Sequence, residues 1–174
     1  MQYDPNQTNS RPPPIEPTGF FTGIQFRPIV IGVIVDTLAT MALTTAYYSF
    51  VVAKDLADKG VGEVDAFAEY WASSDGLVAS LLLGSLGTLI GGFYAAYKAG
   101  SLEMKHGALV GIGSILLGLL LTGGAESQTP EWFMALSFGA AIPAGALGGF
   151  LAEMLKSTTG RGRSSHSPGW PGAS

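Results

Sequence analysis

From Ser80 to Gly100 the chain reads SLLLGSLGTLIGGFYAAYKAG, and every fourth position holds a small residue: Ser80, Gly84, Thr88, Gly92, Ala96, Gly100. The neighbouring stripe, Gly87, Gly91, Ala95 and Ala99, is equally bare. Residues four apart share a helix face, so a helix here presents two adjoining faces without a large side chain. In water each glycine costs a helix roughly 1 kcal/mol, and this density would dissolve it. In a bilayer, small-xxx-small stripes instead let helices approach closely and gain packing energy. The stretch therefore restricts the chain to a helical membrane protein held by close backbone contact. Only 13% of residues are charged and 47% are hydrophobic, whereas a soluble domain carries about a quarter charged residues.

Four segments are long and apolar enough to cross a ~30 Å hydrocarbon core, at residues 29–52, 77–97, 107–124 and 132–155. The expected fold class is all-α: four transmembrane helices packed through Gly, Ala and Ser faces within residues 27–156. Residues 1–26 form a proline-rich leader with Arg11-Pro12-Pro13-Pro14, read as disordered, and residues 157–174 a basic tail of the same kind. Pro28 suits a first helical turn, as does Pro130 in Thr129-Pro130-Glu131, where the threonine would cap the fourth helix. Pro143 is expected to kink that helix. Residues 53–75 read as an acidic loop, solvated rather than cation-binding, with a short amphipathic helix over 64–72 lying at the membrane surface. A short turn joins Lys98 to His106.

Basic residues orient the bundle. Arg11, Arg27, Lys98, Lys105, Lys156, Arg161 and Arg163 fall on one side, leaving Lys54 and Lys59 for the other. Both termini are expected in the cytoplasm, with Trp71 and Trp132 at the outer boundary.

The fourth segment echoes the second. Ile90-Gly91-Gly92-Phe93-Tyr94-Ala95 aligns with Leu147-Gly148-Gly149-Phe150-Leu151-Ala152, each followed by a lysine. Two hairpins related by a parallel repeat would account for this. The glycines expected to pack helices are Gly84, Gly87, Gly91, Gly92, Gly107, Gly111, Gly145, Gly148 and Gly149.

Asp36 lies nine positions beyond Arg27, or roughly 13 Å into the membrane at ~1.5 Å per residue. Depth counting puts Ser114 and both Gly-Gly pairs at the same level. A mid-membrane carboxylate costs several kcal/mol unless it faces protein or water. Thr40 shares its face, and Thr88 or Ser114 is its expected partner from another helix. Those four residues form the candidate polar site.

Chemistry is otherwise sparse. Without cysteine there is no thiol nucleophile or cysteine metal site, and the histidines, His106 and His166, lie far apart. His106 reads as an ordinary surface or packing residue, and Glu153 sits near a helix end. No paired carboxylates, nucleophile-base set or phosphate loop stands out, so no catalytic, cofactor or metal residues are assigned, and neither an enzyme nor a nucleic-acid partner is expected.

Gly91-Gly92-Phe93, a lysine soon after, and His106-Gly107-Ala108-Leu109-Val110-Gly111, with Gly148-Gly149 late in the fourth segment, resemble small bacterial four-helix membrane proteins of the YrzE-like kind. The likeness spans Pro28 to Leu155; the long acidic loop and proline-rich leader depart from it. It implies a four-helix fold in a bacterial inner membrane and carries no activity. The expected role is a structural or accessory membrane subunit, in contact with lipid and with a second copy or a membrane-protein partner. The alternative is a small ion- or solute-translocating unit centred on Asp36.

Overall fold

The computed structural model describes residues 19, 22–58, 63–122 and 130–160. Among them every regular element is helical: α1 (Phe26–Tyr47), a π-helical turn (Tyr48–Val52), α2 (Ala53–Asp58), α3 (Glu63–Ala72), α4 (Ser74–Ala99), α5 (Glu103–Thr122) and α6 (Glu131–Thr158). Four stretches are long and apolar enough to cross a membrane: Phe26–Asp55, Ser74–Ala99, Glu103–Leu121 and Glu131–Thr158. Most of the leader and tail, and Thr129, lie outside the described residues.

The helices outrun the apolar segments because hydropathy marks where lipid ends, while propensity and caps mark where a helix ends. Ala53 to Asp58 contains good helix formers and no glycine or proline. The first helix therefore continues through the π-helical turn into α2, where the sequence suggests a loop. At the start of α4 the Ser73 hydroxyl accepts the Gly76 N–H at 3.2 Å, an N-cap. Gly100 ends α4 in the left-handed conformation (φ 72°), its N–H on the Ala96 carbonyl. Only Gly100, Ser101 and Leu102 separate α4 from α5, a tighter turn than Lys98 to His106. At α6 the cap position is Pro130, with no side-chain hydrogen bond. The helix runs unbroken through Pro143, whose missing N–H leaves the Gly139 carbonyl without its usual donor.

α4, α5 and α6 pack against one another, and α1 lies against α4 and α5. Among the described residues α1 does not touch α6. Two hairpins related by a twofold axis would match each α4–α5 contact with one between α6 and α1, so the Gly-Gly echo is not accompanied by twofold packing.

Each seam is lined by glycines whose missing side chain is occupied by a neighbour. A Cβ on Gly91 would lie 2.5 Å from the Gly32 carbonyl oxygen, and one on Gly92 2.5 Å from that of Gly145. One on Gly107 would fall 2.9 Å from the Gly149 nitrogen, and one on Gly111 2.9 Å from the Ile142 Cα. Gly145 abuts the Gly107 carbonyl, Gly148 that of Leu89 and Gly149 that of Glu103. Gly84 departs from the expectation: a Cβ there would meet nothing within 4 Å. Many leucine, isoleucine and valine side chains point outward, as at Leu38, Leu82, Leu120 and Leu147, each more than half exposed. Such an apolar exterior belongs against lipid.

Two polar clusters close the ends. Fully buried His106 accepts the Gln25 N–H on Nε2 at 3.0 Å and places Nδ1 3.1 Å from the Leu102 carbonyl oxygen. Gln25 also donates its side-chain amide to the Ala99 carbonyl at 3.1 Å. Of the two expected roles, surface or packing, His106 takes the buried one and ties the start of α1 to the α4–α5 turn. Beside it the Lys156 ammonium bonds the Ala96 carbonyl at 2.9 Å and Glu103 at 3.1 Å, and lies 5.5 Å from the Tyr97 ring centre.

At the opposite end α3 leans its aromatic face on the end of α1. Phe67 packs edge-on against Tyr48 with centroids 4.7 Å apart, and the Tyr47 and Tyr70 hydroxyls hydrogen-bond at 2.9 Å. Burial, then the bond to Tyr47, pushes the Tyr70 hydroxyl pKa up to about 12. The amphipathic helix thus rests on protein aromatics, a placement that its face pattern alone does not distinguish from membrane-surface binding.

Candidate functional site

The polar centre grows from α1. Asp36 and Thr40 are one turn apart, and the Thr40 hydroxyl donates to Asp36 Oδ1 at 3.2 Å. From α4 the Thr88 hydroxyl lies 3.1 Å from Asp36 Oδ2, and the Ser114 hydroxyl of α5 makes a short bond to the same oxygen. All four expected residues are therefore together, on three helices. Asp36 is 4% exposed and Thr88 5%, so water takes little part in solvating the carboxylate.

Glycines let the carboxylate into this position. A Cβ on Gly87 would overlap Thr40 Oγ1 and come within 3.0 Å of Asp36 Oδ1, and one on Gly91 would lie 2.7 Å from the Asp36 Cβ. Two bare faces on α4 thus separate in role. Gly87 and Gly91 seat α1, whereas Ser80, Gly84 and Thr88 line open space. Gly148 meets Leu89 and Phe93 on the turn of α4 that carries Gly91, the glycine lying against Asp36, whereas Gly149 lies against Glu103. The α6 residues that share the cavity with Asp36 are Ser137, Phe138 and Ala141.

Above Asp36 the four long helices leave a partly open cavity of about 300 Å³. It runs along α4 from Thr88 to Ser80, about 12 Å at 1.5 Å per residue, towards the end where α4 and α6 begin. Its floor is Asp36, Thr88 and Ser114; Leu81, Ile115, Leu117 and Phe138 form apolar walls. Gly84 and Gly118 border it, and a Cβ on either would meet nothing within 4 Å. Ser137 also lines it, with a buried hydroxyl oxygen that has no hydrogen-bond partner among the described residues. Sequence reasoning missed Ser85 as a lining residue, and took Ser80 and Ser137 only for small members of packing stripes.

Proton counting sets what the centre can do. Thr88 Oγ1 lies 3.1 Å from Asp36 Oδ2 and 3.0 Å from the Gly84 carbonyl oxygen. A hydroxyl owns one proton and can donate to only one of them. With Asp36 ionised, Thr88 donates to the carboxylate. With Asp36 protonated, the carboxyl donates to Thr88, which turns its own proton to Gly84. Both states are accommodated without moving a heavy atom. No basic side chain lines the cavity among the described residues, and no group of three metal-ligating acids or histidines occurs among them. One carboxyl with no second titratable neighbour can bind or exchange a proton, but it supplies no acid-base pair.

Comparison with protein-family models, curated proteins and solved structures finds no match to this chain.

Proposed function

We propose that the chain is an integral membrane subunit of structural or accessory type, with Asp36 as the polar lock between helices. The observation that carries this reading is the convergence of Thr40, Thr88 and Ser114, from α1, α4 and α5, on one buried carboxyl. Hydrogen bonds to an ionised group contribute about 1.5–3 kcal/mol each, and in lipid an unmatched carboxylate is costly. The small-residue faces supply the rest of the packing, and the apolar exterior meets lipid and a second copy or a larger membrane complex. The four-helix likeness to YrzE-like proteins supports a bacterial inner membrane, and the distribution of lysine and arginine supports cytoplasmic termini.

A second reading, a small ion- or solute-translocating unit, is favoured by the cavity that ends on Asp36. Asp36→Ala and Asp36→Asn separate the two. Under the structural reading Asp36→Ala, which leaves three hydroxyls without their acceptor, weakens assembly in detergent more than Asp36→Asn, and liposome proton or cation flux stays at background throughout. Flux by the wild type that Asp36→Asn abolishes with assembly intact would overturn it. The absence of cysteine makes orientation directly testable. Ser101→Cys should react with a membrane-impermeant maleimide from the cytoplasmic side, and Ala68→Cys from the other.

A further inference from the structure

We propose that the cavity above Asp36 is a binding site for a small organic cation, a primary ammonium on a short hydrocarbon chain. The inference needs binding alone and does not rest on translocation.

Four observations select this chemistry. The deepest group is an acid, and the described lining contains no lysine, arginine or histidine, so an anion finds nothing to offset its charge. Three hydroxyls bond the carboxyl, whose two oxygens accept about four hydrogen bonds when ionised, so acceptor capacity remains. Ser137 adds a buried hydroxyl with no partner among the described residues, and buried polar groups ordinarily have one. An ammonium brings three donors and a charge opposite to that of the carboxylate.

The hydrocarbon in the walls suits a bare metal ion poorly. A hard cation takes about six or more oxygen ligands on several sides, whereas Leu81, Ile115, Leu117 and Phe138 present hydrocarbon. Those side chains suit an alkyl chain, and the Phe138 ring can face a cation. A volume of about 300 Å³ lies at the small end of ligand sites. The space is built in by sequence: Gly84 and Gly118 border it, and neither is filled by a neighbour, unlike the glycines of the helix seams. From Asp36 the cavity extends towards the end where α4 and α6 begin, the outer side by the lysine and arginine count.

The test uses the full chain in lipid nanodiscs, titrated with n-butylammonium chloride at constant ionic strength and followed by calorimetry and ligand-observed NMR. Saturable binding at one site per chain is expected. Asp36→Asn should weaken it at least tenfold, and Ser137→Ala by a smaller factor. Gly84→Leu and, independently, Gly118→Leu should abolish it while the melting temperature stays near that of the wild type. 1-Butanol and butyrate should not compete. Absence of saturable binding, or binding unchanged in whichever Gly→Leu variant folds, would overturn the proposal. So would equal competition by 1-butanol, which removes the role of charge, or by sodium, which makes this a metal-ion site. Binding without liposome flux sinks only the translocation reading. Loss of assembly in Asp36→Ala without butylammonium binding by the wild type leaves the structural lock and removes this site.

Discussion

Gly92→Ala and Gly84→Ala add the same methyl group to the same helix two turns apart, and the structure assigns them opposite outcomes. At Gly92 the new carbon would lie 2.5 Å from the Gly145 carbonyl oxygen and 2.9 Å from its Cα. Ordinary contact begins at 3.4 Å, so α4 and α6 must part locally by about 0.9 Å. The obstacle is backbone, which cannot swing aside as a side chain can. Separation of 0.5–1 Å forfeits a quarter to a half of the contact energy of every pair along the seam. Overpacking of this kind costs about 1–3 kcal/mol. At Gly84 the methyl enters open space, and alanine improves helix propensity by at most ~1 kcal/mol. Reversible unfolding in mixed micelles of dodecylmaltoside and SDS measures both. Gly92→Ala should lose about 1–3 kcal/mol relative to Gly84→Ala, which should match or exceed the wild type. Two variants equal within ~0.5 kcal/mol would mean that α4 and α6 do not meet at Gly92, and the packing argument would fall.

Other consequences are open to measurement. His106→Leu leaves the Gln25 N–H and the Leu102 carbonyl without their ring partners; it should cost about 1–3 kcal/mol by the same unfolding assay and speed proteolysis just before α1. Tyr70 should ionise near pH 12 in an absorbance titration at about 295 nm, well after an ordinary tyrosine. Because that pKa is raised on folding, the associated stability is intact below pH 10 and lost as pH rises from 10 to about 12. Tyr47→Phe should move the transition down, and Tyr70→Phe should delete it. Lys156→Met removes bonds to both Glu103 and the Ala96 carbonyl, whereas Glu103→Gln removes only the charge of one. The lysine variant should be the less stable by about 1 kcal/mol, and equal losses would argue against the carbonyl bond.

The four spans and the partners of Asp36 were legible because both depend on local spacing. Asp36 and Thr40 share a face by their separation of four, and a buried acid needs hydroxyls, of which Thr88 and Ser114 are the ones at its depth. What spacing does not carry is which of two bare faces meets a helix and which meets a void. Gly84 and Gly87 look alike in sequence, yet one borders the cavity and the other seats α1. His106 was equally opaque, since its partner Gln25 is 81 residues away and belongs to a turn before α1. The helix ends were missed for a simpler reason: Ala53 to Asp58 and Ser74 to Gly76 are helical but not apolar, and apolarity was the signal.

The spread of the Asp36 partners along the chain also fixes the order in which they can exist. During synthesis α1 enters the membrane first, and Thr40 is the only one of the three hydroxyls already present. Thr88 follows 52 residues later and Ser114 78 residues later. The carboxyl thus spends that interval with a single partner, on its own helix, and protonation is the cheapest way to bear it. α4, α5 and α6 can meanwhile close on one another without α1, whose long-helix contacts among the described residues are with α4 and α5. The first helix made is in that sense the last that the bundle requires, and Asp36 gains its second and third bonds only when α1 docks.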